Sequence, residues 1–140
     1  LLNLVLSSAG VPRRLSAFVS ALPLEPWVLM LIIIGFYLAL GTVMEGLSMI
    51  VTTIPFIFPV VQTLGYDPVW FGIVVTILVE VALISPPDGS VLYVLQGLRT
   101  PRGPIGDVFT GVMPFLFVYI VAVLLLLAFP MIALYLPSLR

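Results

Sequence analysis

This sequence predicts an all-α integral membrane fold, and three observations predict it. Of its 140 residues 62% are apolar and 8% charged, with a mean hydropathy of +1.34. An average soluble domain is roughly 45–50% apolar and about 25% charged, so these side chains cannot assemble a water-facing surface. The apolar residues fall into long runs separated by short polar turns, which is the patterning of membrane segments. Pro and Gly interrupt those runs internally, and such interruptions survive at membrane depth only where protein or a water-filled cavity covers them. There is no Cys and no His, which removes thiol nucleophiles, disulfides, zinc fingers and imidazole relays. Five Arg stand against six acids without a basic patch for nucleic acid. With no nucleophile–base pair and no phosphate-cradling loop, an enzyme has no residues to work with.

Residues 1–26 read as the end of a preceding helix followed by an interfacial helix. Leu1 to Gly10 lacks a charged start, so it does not read as a signal peptide. Val11, Leu15, Phe18, Val19 and Leu22 recur at helical spacing, with Arg13, Arg14, Ser16 and Ser20 mostly opposite. That pattern fits a helix lying in the plane of the lipid surface. Pro23 and Pro26 end it, and Trp27 suits the headgroup level.

Residues 27–61 read as a re-entrant helical hairpin. The stretch holds 35 residues with Glu45 its one charge. A straight helix of that length would run about 52 Å, beyond a ~30 Å hydrocarbon core, whereas two full crossings need about 40 residues plus a turn. A hairpin satisfies both limits: one arm to about Leu40, a tip over residues 41–46 (GTVMEG), and a return arm from Leu47, each reaching half to two thirds of the way in. Pro55 and Pro59 bend the return arm. Residues 62–67 (QTLGYD) form a polar turn, with Asp67 placed to cap a helix that Pro68 begins.

Residues 68–96 read as a discontinuous transmembrane helix. It runs from Val69 to Ile84 with Glu80 inside, meets Ser85-Pro86-Pro87-Asp88-Gly89-Ser90, and resumes at Val91. The two prolines leave the carbonyls of Ala82 and Leu83 without helical donors, and Gly89 permits a backbone conformation that other residues resist. Residues 97–107 (GLRTPRGPIGD) form a loop whose two arginines place it in the cytoplasm by the positive-inside rule. Arg13 and Arg14, one crossing away, weigh against that orientation. Residues 108–136 form a terminal transmembrane helix, capped by Asp107 and kinked at Pro130, long enough to span with tilt.

The run from Gly41 to Gly97 resembles the large permease subunit of TRAP transporters, the DctM-like, dicarboxylate-type permeases of the ion transporter superfamily. The resemblance rests on ordered motifs: a Gly-rich tip, a Pro-x-x-x-Pro return arm, a Gly-x-Asp-Pro-x-x-Phe-Gly turn and a Pro-Pro-x-Gly break. It covers essentially the whole chain and corresponds to the C-terminal portion of that subunit. It implies sodium-coupled secondary transport of an organic anion in a bacterial or archaeal inner membrane. It further implies a periplasmic solute-binding protein that delivers the substrate, and a small membrane subunit as companion. It also implies an elevator-type motion, with the first helix as an arm joining a mobile domain to a scaffold. One half of an inverted repeat is represented, since such folds need two hairpins and two broken helices. Asp88 and Ser90 depart from the aliphatic residues common around the family's break glycine.

Sodium prefers oxygen ligands, which transporters supply from unwound backbone and helix C-termini near the midplane. The tip and the break are two such features, and they are expected to face one another. The candidate sodium and substrate residues are Gly41, Thr42, Glu45, Gly46, Ser85, Pro86, Pro87 and Gly89, with Thr52, Glu80 and Asp88 as further possibilities. No other cofactor is expected. The alternatives stay open: the glycines could serve close helix packing, Glu80 could bond to a neighbouring helix, and the hydroxyls of Thr52 and Thr53 could bond back to their own helix. A carboxylate at membrane depth costs at least ~2.5–3.5 kcal/mol, which is why Glu45 and Glu80 are functional candidates. A carrier of the same superfamily that works without a binding protein, and a non-transporting membrane anchor, are the rival functions.

Overall fold

The computed structural model describes residues 10–86, 89–101 and 103–138, and every regular element among them is an α-helix. They are α1 Val11–Ala21, α2 Pro26–Gly41, α3 Gly46–Thr63, α4 Pro68–Ile84, α5 Ser90–Leu98, α6 Ile105–Ala128 and α7 Met131–Ser138. Residues 1–9, expected to end a preceding helix, lie outside the described residues, as do Pro87, Asp88 and Arg102.

Helix α1 ends where Leu22 turns extended ahead of Pro23. It packs along α3, with Leu15 and Val19 against the core and Phe18 and Arg14 exposed. Helices α2 and α3 form a helix–turn–helix closed by Thr42–Glu45. At 16 and 18 residues they run about 24 and 27 Å. By length and composition, α3 and α6 are each long and apolar enough to cross a membrane. The return arm continues past Val61 to Thr63, and Pro55 and Pro59 lie inside one uninterrupted helix.

The turn after α3 follows from its residues. Gly65 takes a φ of 83°, a left-handed conformation that favours glycine. The Asp67 carboxylate accepts from the N–H groups of Val69 at 2.7 Å and Trp70 at 3.3 Å, capping α4 at Pro68. Tyr66 stacks on Trp70 with ring centroids 4.7 Å apart.

Helix α4 is the hub and packs against α2, α3, α5, α6 and α7. Its buried side holds Val81 together with Trp70, Phe71, Val74, Val75, Leu78 and Ala82, and these last six share one core with Met30, Ile33, Ile34 and Tyr37 of α2, Met49, Val60 and Val61 of α3, and Val123 and Leu126 of α6. Across the hairpin the Tyr37 hydroxyl lies 2.7 Å from Thr53 Oγ1, which itself donates to the Met49 carbonyl at 2.8 Å. With Thr53's one proton so committed, Tyr37 donates and Thr53 accepts.

Two expectations for the C-terminal segments are corrected. The connection between α5 and α6 is 99–104, because α5 continues to Leu98 and α6 already starts at Ile105. Asp107 therefore sits in the first turn of α6 without capping it, and its carboxylate pairs with Arg99 at 2.8 Å. Nor is the last segment one kinked span. Helix α6 ends at Ala128, Phe129 leaves helical geometry, and α7 packs back on α4. The cause is Pro130, which has no N–H to offer the carbonyl of Leu126 four residues earlier. The indole N–H of Trp70, fully buried, donates to that carbonyl at 2.9 Å and supplies the missing partner. Trp70→Phe keeps a six-membered aromatic ring but removes the pyrrole half of the indole together with this donor. It is expected to cost about 1–3 kcal/mol, read as a lower melting temperature of the complete protein in detergent. An unchanged melt would show that another donor reaches Leu126.

Candidate functional site

Four helix ends meet at one place. The tip carries the C-terminus of α2 and the N-terminus of α3, and the break carries the C-terminus of α4 and the N-terminus of α5. Glycines set how closely they meet. A Cβ on Gly41 would stand 2.8 Å from Ala82 Cβ, and one on Gly46 would stand 2.5 Å from Val79 Cγ1. The tip thus rests directly on the last turns of α4. Between them a cavity of about 160 Å³ is lined by Met44, Glu45, Gly46, Ala82, Leu83 and Ser90. The backbone dipoles alternate here: α2 and α4 end in carbonyls, whereas α3 and α5 begin with N–H groups.

The tip satisfies its own polar groups. Thr42 donates through its hydroxyl and its N–H to the Ala39 carbonyl at 2.7 and 3.3 Å, and Val43 and Met44 donate to the Leu40 carbonyl at 2.9 and 2.8 Å. Glu45 caps α3: Oε1 accepts from Leu47 N–H at 3.0 Å, while Oε2 accepts from Ser48 N–H at 3.1 Å and from its hydroxyl at 3.3 Å. The Glu45 carboxylate is therefore already neutralised in part by a helix N-terminus, and the tip offers fewer free ligands than the sequence suggests.

The break is less satisfied. Ser85 N–H reaches the Ala82 carbonyl at 3.4 Å, so Ala82 gains a donor three residues on where none was expected. The Leu83 carbonyl has prolines at both positions, Pro86 and Pro87, from which a helical N–H would come. Gly89 N–H donates to the Ser85 carbonyl at 2.9 Å, and α5 starts without a side-chain cap. Gly89 is needed for a different reason than expected. Its φ of −55° suits any residue, but a Cβ there would stand 2.9 Å from the carbonyl oxygens of Leu83 and Ser85.

The structure thus brings Gly41, Gly46, Ser85, Pro86 and Gly89 together around one junction with Thr42 and Glu45 beside it. Pro87 and Asp88 lie outside the described residues. Thr52 is elsewhere, on a second cavity lined with Leu15, Phe36, Leu40, Met44, Thr53, Phe56 and Ile57. Glu80 is exposed on the side of α4 opposite its buried residues. Sequence reasoning missed Met44, Leu83 and Ser90 as cavity-lining residues. Ser90 carried an available signal, since a hydroxyl residue directly after the break glycine opens the resumed helix.

Comparison with known proteins follows the same residues. A family model described as "Tripartite ATP-independent periplasmic transporter, DctM component" matches residues 1–132. Over 139 residues the chain is 34% identical to the C4-dicarboxylate TRAP transporter large permease protein DctM of Rhodobacter capsulatus, covering 99% of this chain and 31% of that protein. It is 30% identical over 134 residues to the DctM protein of the same description from Pseudomonas aeruginosa, covering 96% and 31%. It is 31% identical over 135 residues to the sialic acid TRAP transporter large permease protein SiaM of Vibrio cholerae, again covering 96% and 31%. The chain spans about three tenths of the length of these curated relatives.

Proposed function

The chain belongs to the DctM component family of tripartite ATP-independent periplasmic transporters, and from that premise we propose that it is the C-terminal portion of the large permease subunit of a sodium-coupled importer of organic anions. Its companions are a periplasmic solute-binding protein and a small membrane subunit, in a bacterial or archaeal inner membrane. The observation that carries this reading is the meeting of four helix ends around the cavity of about 160 Å³ at Glu45, Leu83 and Ser90. Carbonyl ends favour a cation and N–H ends favour a carboxylate, so one junction suits both sodium and an organic anion.

Within that junction the oxygens without a partner among the described residues concentrate at the break. The Leu83 carbonyl and the Ser85 and Ser90 hydroxyls would hold sodium, with the uncapped start of α5 toward the anion. Glu45 supports the site by fixing the start of α3. In this reading α2 and α3 are a re-entrant hairpin and α1 lies at the lipid surface as the arm. Relatives named for a C4-dicarboxylate and for sialic acid share an acid group as substrate chemistry, which is why the substrate is proposed as a class.

Reconstituted with its partner subunits, the complete permease is expected to take up its anion only with external sodium. Ser85→Ala and Ser90→Ala each remove a hydroxyl worth about 1 kcal/mol, raising half-saturation for sodium by about 3- to 10-fold. Thr52→Ala, at the other cavity, leaves it unchanged. Uptake indifferent to sodium would refute the coupling. Sodium-driven uptake with both serine variants unaltered would move the site away from the break, and uptake without a binding protein would favour the independent carrier.

A further inference from the structure

Helix α4 keeps its buried residues on one side and presents Val69, Gly72, Thr76 and Glu80 on the other, where all four are exposed. Glu80 lies twelve residues into the helix, about 18 Å from its start. Among the described residues it has no hydrogen-bond partner, and none of the described helices covers it. A carboxylate this deep facing lipid would carry a penalty that intramembrane acids avoid by facing protein or water.

The surroundings of Glu80 decide between those two. Val69, Gly72 and Thr76 share its side, Ile73 and Ile77 lie at the margin, half-buried against the core, and the Thr76 hydroxyl already donates to the Gly72 carbonyl at 2.8 Å. With that hydroxyl satisfied inside the helix, the surface offers one carboxylate among apolar groups, which is poor lining for a water-filled channel. Gly72 has nothing within 4 Å of where a Cβ would stand. Unlike Gly41 and Gly46, it answers to no contact among the described residues, and it leaves room for a second backbone to approach. The relatives are about three times as long as this chain.

We propose that the Val69–Thr76–Glu80 face of α4 seats a membrane helix from the part of the permease polypeptide outside these 140 residues, and that this helix presents a hydrogen-bond donor to the Glu80 carboxylate. The inference rests on the reading of the chain as part of a larger permease, but its test does not depend on transport. Benzoylphenylalanine in place of Thr76, in the complete permease in its native membrane, is expected to cross-link under ultraviolet light to a peptide of the same polypeptide beyond these residues. The same probe at Phe117, an exposed α6 position, serves as the reactive control. Cross-links from position 76 to lipid or to a separate subunit, or none while position 117 reacts, would overturn the proposal.

Because a bulky probe can disturb packing, a second measurement uses small changes. Glu80→Leu orphans the facing donor and is expected to lower the melting temperature by at least about 2–4 °C, with Glu80→Gln, which still accepts, losing less than half as much. A melt unchanged or raised by Glu80→Leu would place lipid or water there. Sodium-driven uptake by the unaltered permease is read separately, so an α4 face found to meet lipid in a protein that transports refutes the interface and leaves the function standing.

Discussion

Gly89→Ala is expected to reduce uptake by the complete permease about 100-fold, the largest effect of any single methyl in this chain. The added Cβ would stand 2.9 Å from the Leu83 and Ser85 carbonyl oxygens and 3.1 Å from the Ile84 carbonyl carbon. All three are backbone atoms, so no side-chain rotation relieves the overlap. Relief must come from opening the break, and overpacking of this kind costs roughly 1–3 kcal/mol. A cost near 2.8 kcal/mol corresponds to about two orders of magnitude in a binding equilibrium. The loss would fall on the junction itself, because Leu83 and Ser90 both line the cavity. Conformational preference is not the cause, since φ at Gly89 is −55° and alanine adopts it freely. Uptake and melting temperature of the reconstituted variant decide the matter. Uptake within about twofold of the parent would mean that the break is looser than this packing requires.

That argument also marks what could be read from residues alone. Pro and Gly act on the backbone wherever they stand, so the interruption after Ile84, the tip after Gly41 and the Asp67–Pro68 helix start follow from local chemistry. Side-chain partners across the fold do not. Tyr37 meets Thr53 across 16 positions and Trp70 meets Leu126 across 56, distances no local pattern spans. Glu45 illustrates a subtler loss. Glutamate is not among the favoured N-caps, so a lone carboxylate in an apolar run reads as a ligand, whereas here it spends its oxygens on Leu47 and Ser48. Pro130 reads as a kink because a proline inside a long apolar run usually bends it. The indole of Trp70 takes up the Leu126 carbonyl that this proline leaves without a helical donor, where the chain stops and folds back.

The second large effect concerns whether the tip truly rests on α4 in a working transporter. Gly46→Ala would bring a methyl to 2.5 Å from Val79 Cγ1, and valine, β-branched within a helix, has one strongly preferred rotamer and little freedom to yield. The tip must lift, carrying Met44 and Glu45 away from Leu83 and Ser90 and opening the cavity they share. The expected loss of uptake is about 10-fold or more, with a lower melting temperature, again from an overlap costing about 1–3 kcal/mol. Such a loss alone would not distinguish a lifted tip from general damage, so the informative measurement is the pair. Val79→Ala removes the colliding methyl and by itself leaves only a small void. If the two surfaces touch as described, Gly46→Ala combined with Val79→Ala recovers uptake to within about threefold of the parent, a coupling of about 0.7 kcal/mol or more between residues 33 positions apart. Should the double variant transport no better than Gly46→Ala alone, the tip and the break do not share a junction during turnover, and the oxygens around Leu83 would need another partner to enclose an ion.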